Sequence, residues 1–490
     1  MRISVVNGTI ETSDVDTVIV QHFVGEAAPS GATGALDSAL RGAIADVIAS
    51  GDAGGALGST TVLYPRGAVS AERVVLVGLG PTQGFDAEAV RCASAGAARR
   101  ARKLGARSVA SVVLGAGVGG LDVGSAAQAT VEGMRLGLYD FDRDDAFEAF
   151  TLVERDEARV EAVEDGVRWG EAVAEGVRLA RDLVRRPANV ATPEHLADVA
   201  RGLATDHGFT LTVGDRAWAE ERGMGAFLAV AQGAGFEPRF LVLEHDPTAG
   251  RDAPIVLVGK GVTFDSGGLS IKGRQRLAGM KEYMAGAASV LVAMGSIGRL
   301  RSPRRVIALV PATENVIDAL AYRPSDVVRA GNGTTIEIIS TDAEGRLLLA
   351  DALVHAATYE PRAVVDVATL TGAVETALGS LACGLFSNDD ALAAALIASG
   401  ERTHERAWRL PLWAGYRDGL TSDVADLKNS SGKGGGGACV AAAFLERFTT
   451  YPWVHLDIAG VRSVERTEGY LVKGPTGFGV RLLVDWITRA

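Results

Sequence analysis

The sequence predicts an α/β protein in two domains, and three observations carry that prediction. At 490 residues the chain exceeds what one hydrophobic core usually holds. Short apolar runs alternate with Ala-rich stretches of helical length, the pattern of βαβ units. A charged, periodic segment beginning near Glu154 interrupts that alternation and separates two such regions. The expected architecture is a smaller N-terminal α/β domain over 1–152, a linking helix over 153–185, and a larger C-terminal α/β domain over 186–490. The larger domain should carry a mixed sheet flanked by helices.

In the first half, Thr17-Val18-Ile19-Val20, Val74-Val75-Leu76-Val77 and the run 109–114 read as strands. After the third, Gly115-Ala116-Gly117-Val118-Gly119-Gly120 matches GxGxxG, the spacing of a dinucleotide-binding turn. That reading also needs an acidic residue about 20 positions on, at the end of the next strand. Asp140 and Asp142 instead follow a helix-like stretch, so a glycine-rich strand-to-helix turn is expected. Between Glu154 and Leu183, apolar Val160, Val163, Val167, Val173, Val177 and Leu179 on polar ground predict a long amphipathic helix. Beyond Thr210, buried-strand runs recur at 240–243, 255–258, 306–310, 336–339 and 364–367. Helical patterns over 277–300 and 347–357 separate them, which favours a mixed or parallel sheet covered on both faces. The glycines of 431–437 suit a mobile loop.

Composition excludes several classes. Lys and Arg number 49 against 60 Asp and Glu, a net charge of −11, so the chain lacks the cationic surface on which phosphate-backbone binding relies. This argues against nucleic acid as a partner. Cys92, Cys383 and Cys439 are few, odd in number and widely spaced, which excludes a CxxC centre and suits a reducing compartment. The N-terminus has no sustained apolar core of a signal peptide, and no stretch supplies the roughly 20 apolar residues of a membrane span. A soluble, cytoplasmic protein with no membrane partner is expected.

The segment that carries chemistry is Ile338-Ile339-Ser340-Thr341-Asp342-Ala343-Glu344-Gly345-Arg346-Leu347. Asp342 and Glu344, two apart, share a direction if the chain stays extended, and such convergent carboxylates repel unless a cation joins them. A second strand-to-loop segment, 255–268, carries Lys260 and Asp265 on glycine-rich ground, with Lys272 close behind. Desolvation and a nearby cation push a lysine toward the neutral amine that can ligate metal; a protonated Lys272 would instead stabilise an oxyanion. The bland alternative is an ion-pair cap at a helix N-terminus. It loses ground because both loops are placed alike and both are glycine-rich, as close approach to a ligand requires. The spacing points to a metal hydrolase.

At these residues the sequence resembles the leucyl aminopeptidase family, the cytosol aminopeptidases. Thr341-Asp342-Ala343-Glu344-Gly345-Arg346-Leu347 is similar to the family signature, and Gly259 to Gly268 with Lys272 to its first metal-binding loop. The likeness extends from about Ala180 to Ala490, through Ala368-Thr369-Leu370-Thr371-Gly372-Ala373 and His455-Leu456-Asp457. The resemblance implies hydrolysis of the N-terminal residue, Leu- or Met-like, from peptides with a free N-terminus. It implies two divalent metal ions, Zn or Mn: Asp265 and Glu344 bridge them, Asp342 completes one site and Lys260 binds the other. Arg346 would hold a bicarbonate as general base, and Lys272 would stabilise the tetrahedral oxyanion. Met280, Thr369 and Gly372 map onto the pocket for the first side chain, with Leu370 contributing its backbone. A homohexamer, two trimers around an interior cavity, is also implied.

The sequence departs from that pattern in Met280-Lys281-Glu282-Tyr283-Met284-Ala285-Gly286-Ala287-Ala288, where Tyr283 replaces an expected aspartate ligand of the second metal. Three outcomes are open: Tyr283 ligates as phenolate, the second metal binds weakly or is lost, or catalysis is abandoned. With Lys260, Asp265, Lys272, Asp342, Glu344 and Arg346 present, retained but altered activity is expected. Ser340 and Gly273-Arg274 also depart from the usual residues, which suggests a reshaped pocket specialised for one peptide, such as a natural-product precursor. The competing expectation is a noncatalytic hexameric scaffold or regulator.

Overall fold

The computed structural model describes residues 1–143, 147–432 and 435–489. Lys433 and Gly434 of the glycine-rich loop lie outside them. The chain divides into two compact units, Met1–Arg178 with Glu465–Lys473, and Leu179–Val464 with Gly474–Ala490. The long amphipathic helix runs over Val160–Arg185. It starts later than the expected 153 because Ala149–Glu154 is a strand.

In the first unit the described residues form a six-stranded sheet from β1 (Arg2–Asn7), β2 (Thr17–His22), β3 (Thr60–Leu63), β4 (Arg73–Gly78), β5 (Ser108–Val112) and β6 (Ala149–Glu154). The order is β1-β6-β5-β2-β4-β3, parallel except for β3. Fully parallel strands are buried on both faces, and Val18, Val20, Val74, Leu76 and Ala110 are all at most 1% exposed. Helices Ala87–Lys103 and Val123–Gly137 pack closely because Gly133 has no side chain. A Cβ there would stand 2.2 Å from the Arg91 carbonyl oxygen. Beside it, Arg91 Nε donates to Glu132 at 2.6 Å, out of water.

In the second unit the described residues form a nine-stranded mixed sheet. Its strands include β7 (Thr210–Gly214), β8 (Arg239–His245), β9 (Ile255–Gly259), β10 (Gly261–Asp265) and β11 (Val306–Asn315). Short strands β12 (Val327–Arg329) and β13 (Thr335–Glu337) lie outside it, and β14 (Ala363–Ala368), β15 (Cys383–Ser387) and β16 (Ala407–Arg409) return to it. Strand β17 (Leu427–Lys428) pairs with β13, and β18 (Trp453–Asp457) completes the large sheet. Strands β18, β14, β9, β11 and β10 run parallel, so their carboxyl ends share one edge. In open α/β sheets that edge is where ligands bind.

Two expected elements differ. The run 336–339 does not enter the main sheet: β13 pairs with β12 and β17 in a separate three-stranded sheet. The helical pattern over 277–300 breaks into a short helix Arg274–Leu277, a 3₁₀ turn Met280–Met284, and the helix Ala285–Arg299. The Thr369 hydroxyl donates to the Tyr283 carbonyl at 3.0 Å, taking an acceptor that a continuous helix would use. Helix Ala285–Arg299 then lies flat on the sheet, where a Cβ on Gly286 would meet the Val367 carbonyl oxygen at 2.1 Å.

Candidate metal centre

Five polar residues sit at or just past the carboxyl ends of parallel strands: Lys260 after β9, Asp265 ending β10, Asn315 ending β11, Thr369 after β14 and Asp457 ending β18. Asp342 and Glu344 come from the loop that opens helix Gly345–Ala356. Ligand atoms of Asp265, Asp342 and Glu344 all lie within 4.8 Å of one another. The carboxylates converge, but not through the extended chain that the spacing argument assumes: Ala343 N donates to Ser340 O in a turn, Glu344 has helical backbone angles, and Asp342 and Glu344 reach the centre from outside the main sheet.

Each carboxylate is held by the fold. Asp265, 1% exposed, accepts from Gly267 N at 2.9 Å and from Asn315 Nδ2 at 2.8 Å on Oδ1. Its Oδ2 lies 2.8 Å from Lys272 Nζ as an ion pair, but receives no well-aligned hydrogen bond. Lys272 also donates to Asp342. Glu344, 2% exposed, pairs with Lys260 Nζ at 2.8 Å, and Lys260 donates to the Thr369 carbonyl at 2.9 Å. Gly345 makes room for that lysine, since a Cβ would stand 2.9 Å from Nζ. The loop carrying Asp342 is pinned through Thr341, whose hydroxyl donates to Gly267 O at 2.6 Å and whose carbonyl receives Asn315 Nδ2 and Tyr322 Oη.

The electrostatics leave room for more positive charge. Burial, with the neighbouring Asp265 charge, raises Glu344 above its ordinary range, and burial also raises Asp342 despite Lys272. Burial works against the Lys272 charge, yet Asp265, Glu344 and Asp342 outweigh it and hold the ammonium protonated well above its usual range. Three converging carboxylates, two of them buried, are a hard-oxygen donor set of the kind divalent cations take. The residues present fit such an ion.

Arg346 is buried; its Nη1 donates to Asn429 O at 2.8 Å, while Nε, out of solvent, has no partner among the described residues. Burial lowers its pKa to about 10, with Glu344 and Asp457 opposing, so it stays cationic at neutral pH. Tyr283 presents its ring to cations: Lys260 Nζ is 5.0 Å, Lys272 Nζ 5.2 Å and the Arg462 guanidinium 5.5 Å from its centroid. Neighbouring Glu282 pairs with the same Arg462, at 3.5 Å. Met280 and Tyr283 line a cavity of about 460 Å³ with Lys272, Asp342, Arg274 and Arg276. Thr369 joins the centre through its carbonyl, and Leu370 N donates to Asp457 Oδ1 at 3.0 Å. Gly372 opens helix Gly372–Leu378 with open space where a Cβ would stand.

Sequence reasoning passed over Asn315, Asn429 and Tyr322. Asn315 ends a ten-residue strand buried throughout, and a polar residue at the carboxyl end of such a strand was the available signal. Asn429, fully buried, accepts from Ile339 N at 2.8 Å and donates to Ser340 O at 2.7 Å. No local pattern marks it.

Fold and site together define an α/β metal hydrolase. The sequence profile of the cytosol aminopeptidase family, catalytic domain, matches residues 178–484, and that of its N-terminal domain matches 19–144. A probable cytosol aminopeptidase of Syntrophotalea carbinolica is 44% identical, with 93% of each chain covered. One from Roseiflexus castenholzii is 42% identical over 99% of each. Among solved structures, the bottromycin maturation enzyme BotP in complex with Mn has a TM-score of 0.86 at 38% identity, covering 97% of this chain and 99% of that one. A mutant tomato leucine aminopeptidase has a TM-score of 0.88 at 33% identity, covering 100% and 96%. The chain belongs to the cytosol aminopeptidase family. It is a metal-dependent aminopeptidase, a hydrolase of the exopeptidase class, and the scaffold alternative is not favoured.

Proposed function

We propose that Asp265, Asp342 and Glu344 hold a firm divalent metal site, and that Lys260 with the shared carboxylates Asp265 and Glu344 forms a weaker second one. The observation that carries this reading is the convergence of the three carboxylates on one point beside two lysines. Zn or Mn suits the donors, and the Mn in the BotP structure favours Mn. A bound divalent ion supplies Lewis acidity and a lowered water pKa at such a centre.

The chain's own residues do the rest. Lys272, kept protonated by its carboxylate neighbours, donates to the peptide carbonyl oxygen as that atom gains negative charge. Arg346 offers its unpartnered Nε to an anion; a bicarbonate held there would serve as general base. Met280, Thr369 and Gly372 shape the pocket for the first side chain, and the Leu370 backbone, anchored by Asp457, borders it. Tyr283 fills the place of a ligand with a ring facing cations, which weakens the second site without removing the first. We assign the protein to the cytoplasm as a homohexamer acting on peptides with a free N-terminus. Its altered ligand set and its likeness to BotP favour one dedicated peptide, such as a natural-product precursor.

Metal counting by plasma mass spectrometry after dialysis tests the assignment. Wild-type protein should retain about one ion per chain and Tyr283→Asp about two, while Glu344→Gln retains none. Lys272→Met should keep its metal and lose kcat by about 10²–10³-fold, the usual effect of removing an oxyanion donor. Full metal content and activity in Glu344→Gln would overturn the site. Similar turnover of many Leu-, Met- and Ala-started peptides would overturn the specialisation.

A further inference from the structure

The N-terminal unit contains a cavity of about 270 Å³ at the carboxyl ends of β1, β2, β5 and β6. Topology accounts for its position. Adjacent strands β2 and β5 send their connections to opposite sides, since β2 leads through helix Gly31–Ala39 toward β4 and β5 leads through Val123–Gly137 to β6. Such divergence opens a crevice at the strand ends, the place where open α/β sheets take ligands. The glycine-rich turn after β5 forms one wall through Ala116 and Gly117. Gly117 has φ +70° and no atom within 4 Å of where its Cβ would be. The Gln21 side chain ties this turn to β2 by accepting from Gly115 N at 2.7 Å.

Two independent features equip the cavity for a ligand. Helix Gly31–Ala39 begins at its wall, where the first amide N–H groups have no intrahelical acceptor. Ser30 does not cap them: its hydroxyl donates to Glu26 at 2.7 Å instead. His22 also lines the cavity; it is 3% exposed, and its buried Nδ1 has no partner among the described residues. Burial lowers the His22 pKa, with Glu26 opposing, so the imidazole beneath the cavity lining is neutral at pH 7.

The rim selects the ligand class. Both Glu26 oxygens are occupied, by Phe23 N and Ser30 Oγ. Glu154 accepts from Asp156 N, and Arg159 pairs with Asp156 at 3.4 Å. The side chains of Glu11 and Arg155 have no ion-pair partner among the described residues, which leaves one anion and one cation for a ligand. Apolar Ile10, Phe23, Val113 and Val153 line the interior. The volume lies just under the roughly 300–1,000 Å³ of common small-molecule pockets, too small for a dinucleotide. We propose that this cavity binds a free α-amino acid with an apolar side chain. That is the chemical class an aminopeptidase releases, but the ligand class is argued from the cavity alone. The proposal and the metal assignment can therefore fail separately.

Calorimetric titration of the full-length protein with L-methionine, L-phenylalanine and adenosine monophosphate tests it. Wild type should take up one more equivalent of amino acid per chain than Ala32→Phe, which fills the cavity from an exposed position in the first helical turn. Arg155→Ala should bind that extra equivalent at least tenfold more weakly. Unliganded unfolding curves that superimpose on wild type serve as the folding control for both variants. Amino-acid stoichiometry and affinity identical in all three proteins would overturn the proposal. So would adenosine monophosphate binding that Ala32→Phe abolishes while the amino acids do not bind.

Discussion

Asn315 shows how far the centre depends on side chains that carry no charge. Its amide, fully buried, donates to both Asp265 Oδ1 and the Thr341 carbonyl, and so sets the angle between the two ligand loops. Groups that orient metal ligands commonly contribute about 10–100-fold in metal affinity. Asn315→Leu should weaken metal binding by that factor with the fold retained, measured by competition against a chelating dye; unchanged affinity would show that the loops hold themselves. The charged members of the site were legible because carboxylates and lysines on glycine-rich loops after apolar runs are locally recognisable. Asn315 was not, because its meaning lies in a partner 50 residues away. The same holds for Tyr283: its replacement of an aspartate could be read, but the three cations facing its ring could not.

Among the elements, helix Ala285–Arg299 positions the site from behind. Its approach to β9 and β14 is set by two glycines, Gly286 against Val367 O and Gly259 against Ala287 Cα, where added Cβ atoms would stand at 2.1 and 2.7 Å. Gly286→Ala should destabilise the protein by about 1–3 kcal/mol, the usual cost of overpacking. It should also lower activity, because the strand ends carrying Lys260 and Thr369 must move. Urea unfolding with parallel turnover assays checks this, and unchanged values for both would remove the helix from the positioning of the centre. Most strands were readable as apolar runs bounded by turn residues. The run 336–339 pairs outside the main sheet, since periodicity reports that a segment is buried but not which neighbour pairs with it. The break at Met280–Met284 has no local signal, because the partners that replace the helical bond lie elsewhere: Tyr283 O accepts from Thr369, just past β14, and Ala287 N donates to Lys260 O.

For the molecule as a whole, the proposed hexamer predicts a sedimenting species of roughly six times the 50.8 kDa chain, closed by symmetry. Analytical ultracentrifugation at micromolar concentration checks it, and a stable monomer that retains full activity would refute it. Residues 465–473, expected within the C-terminal domain, cluster with the N-terminal unit. Arg99 Nη1 donates to Gly469 O at 2.7 Å there, and Gly469 allows close approach to Cys92, whose sulfur would lie 2.6 Å from an added Cβ. By itself the sequence determined the α/β class, the family likeness and the carboxylate and lysine set, because apolar alternation and short motifs are local properties of the chain. Tertiary structure alone decided which loops meet, which amide aligns the carboxylates, and where a second cavity opens in the N-terminal sheet. Those depend on strand order and on contacts between residues far apart in sequence, which no local pattern encodes.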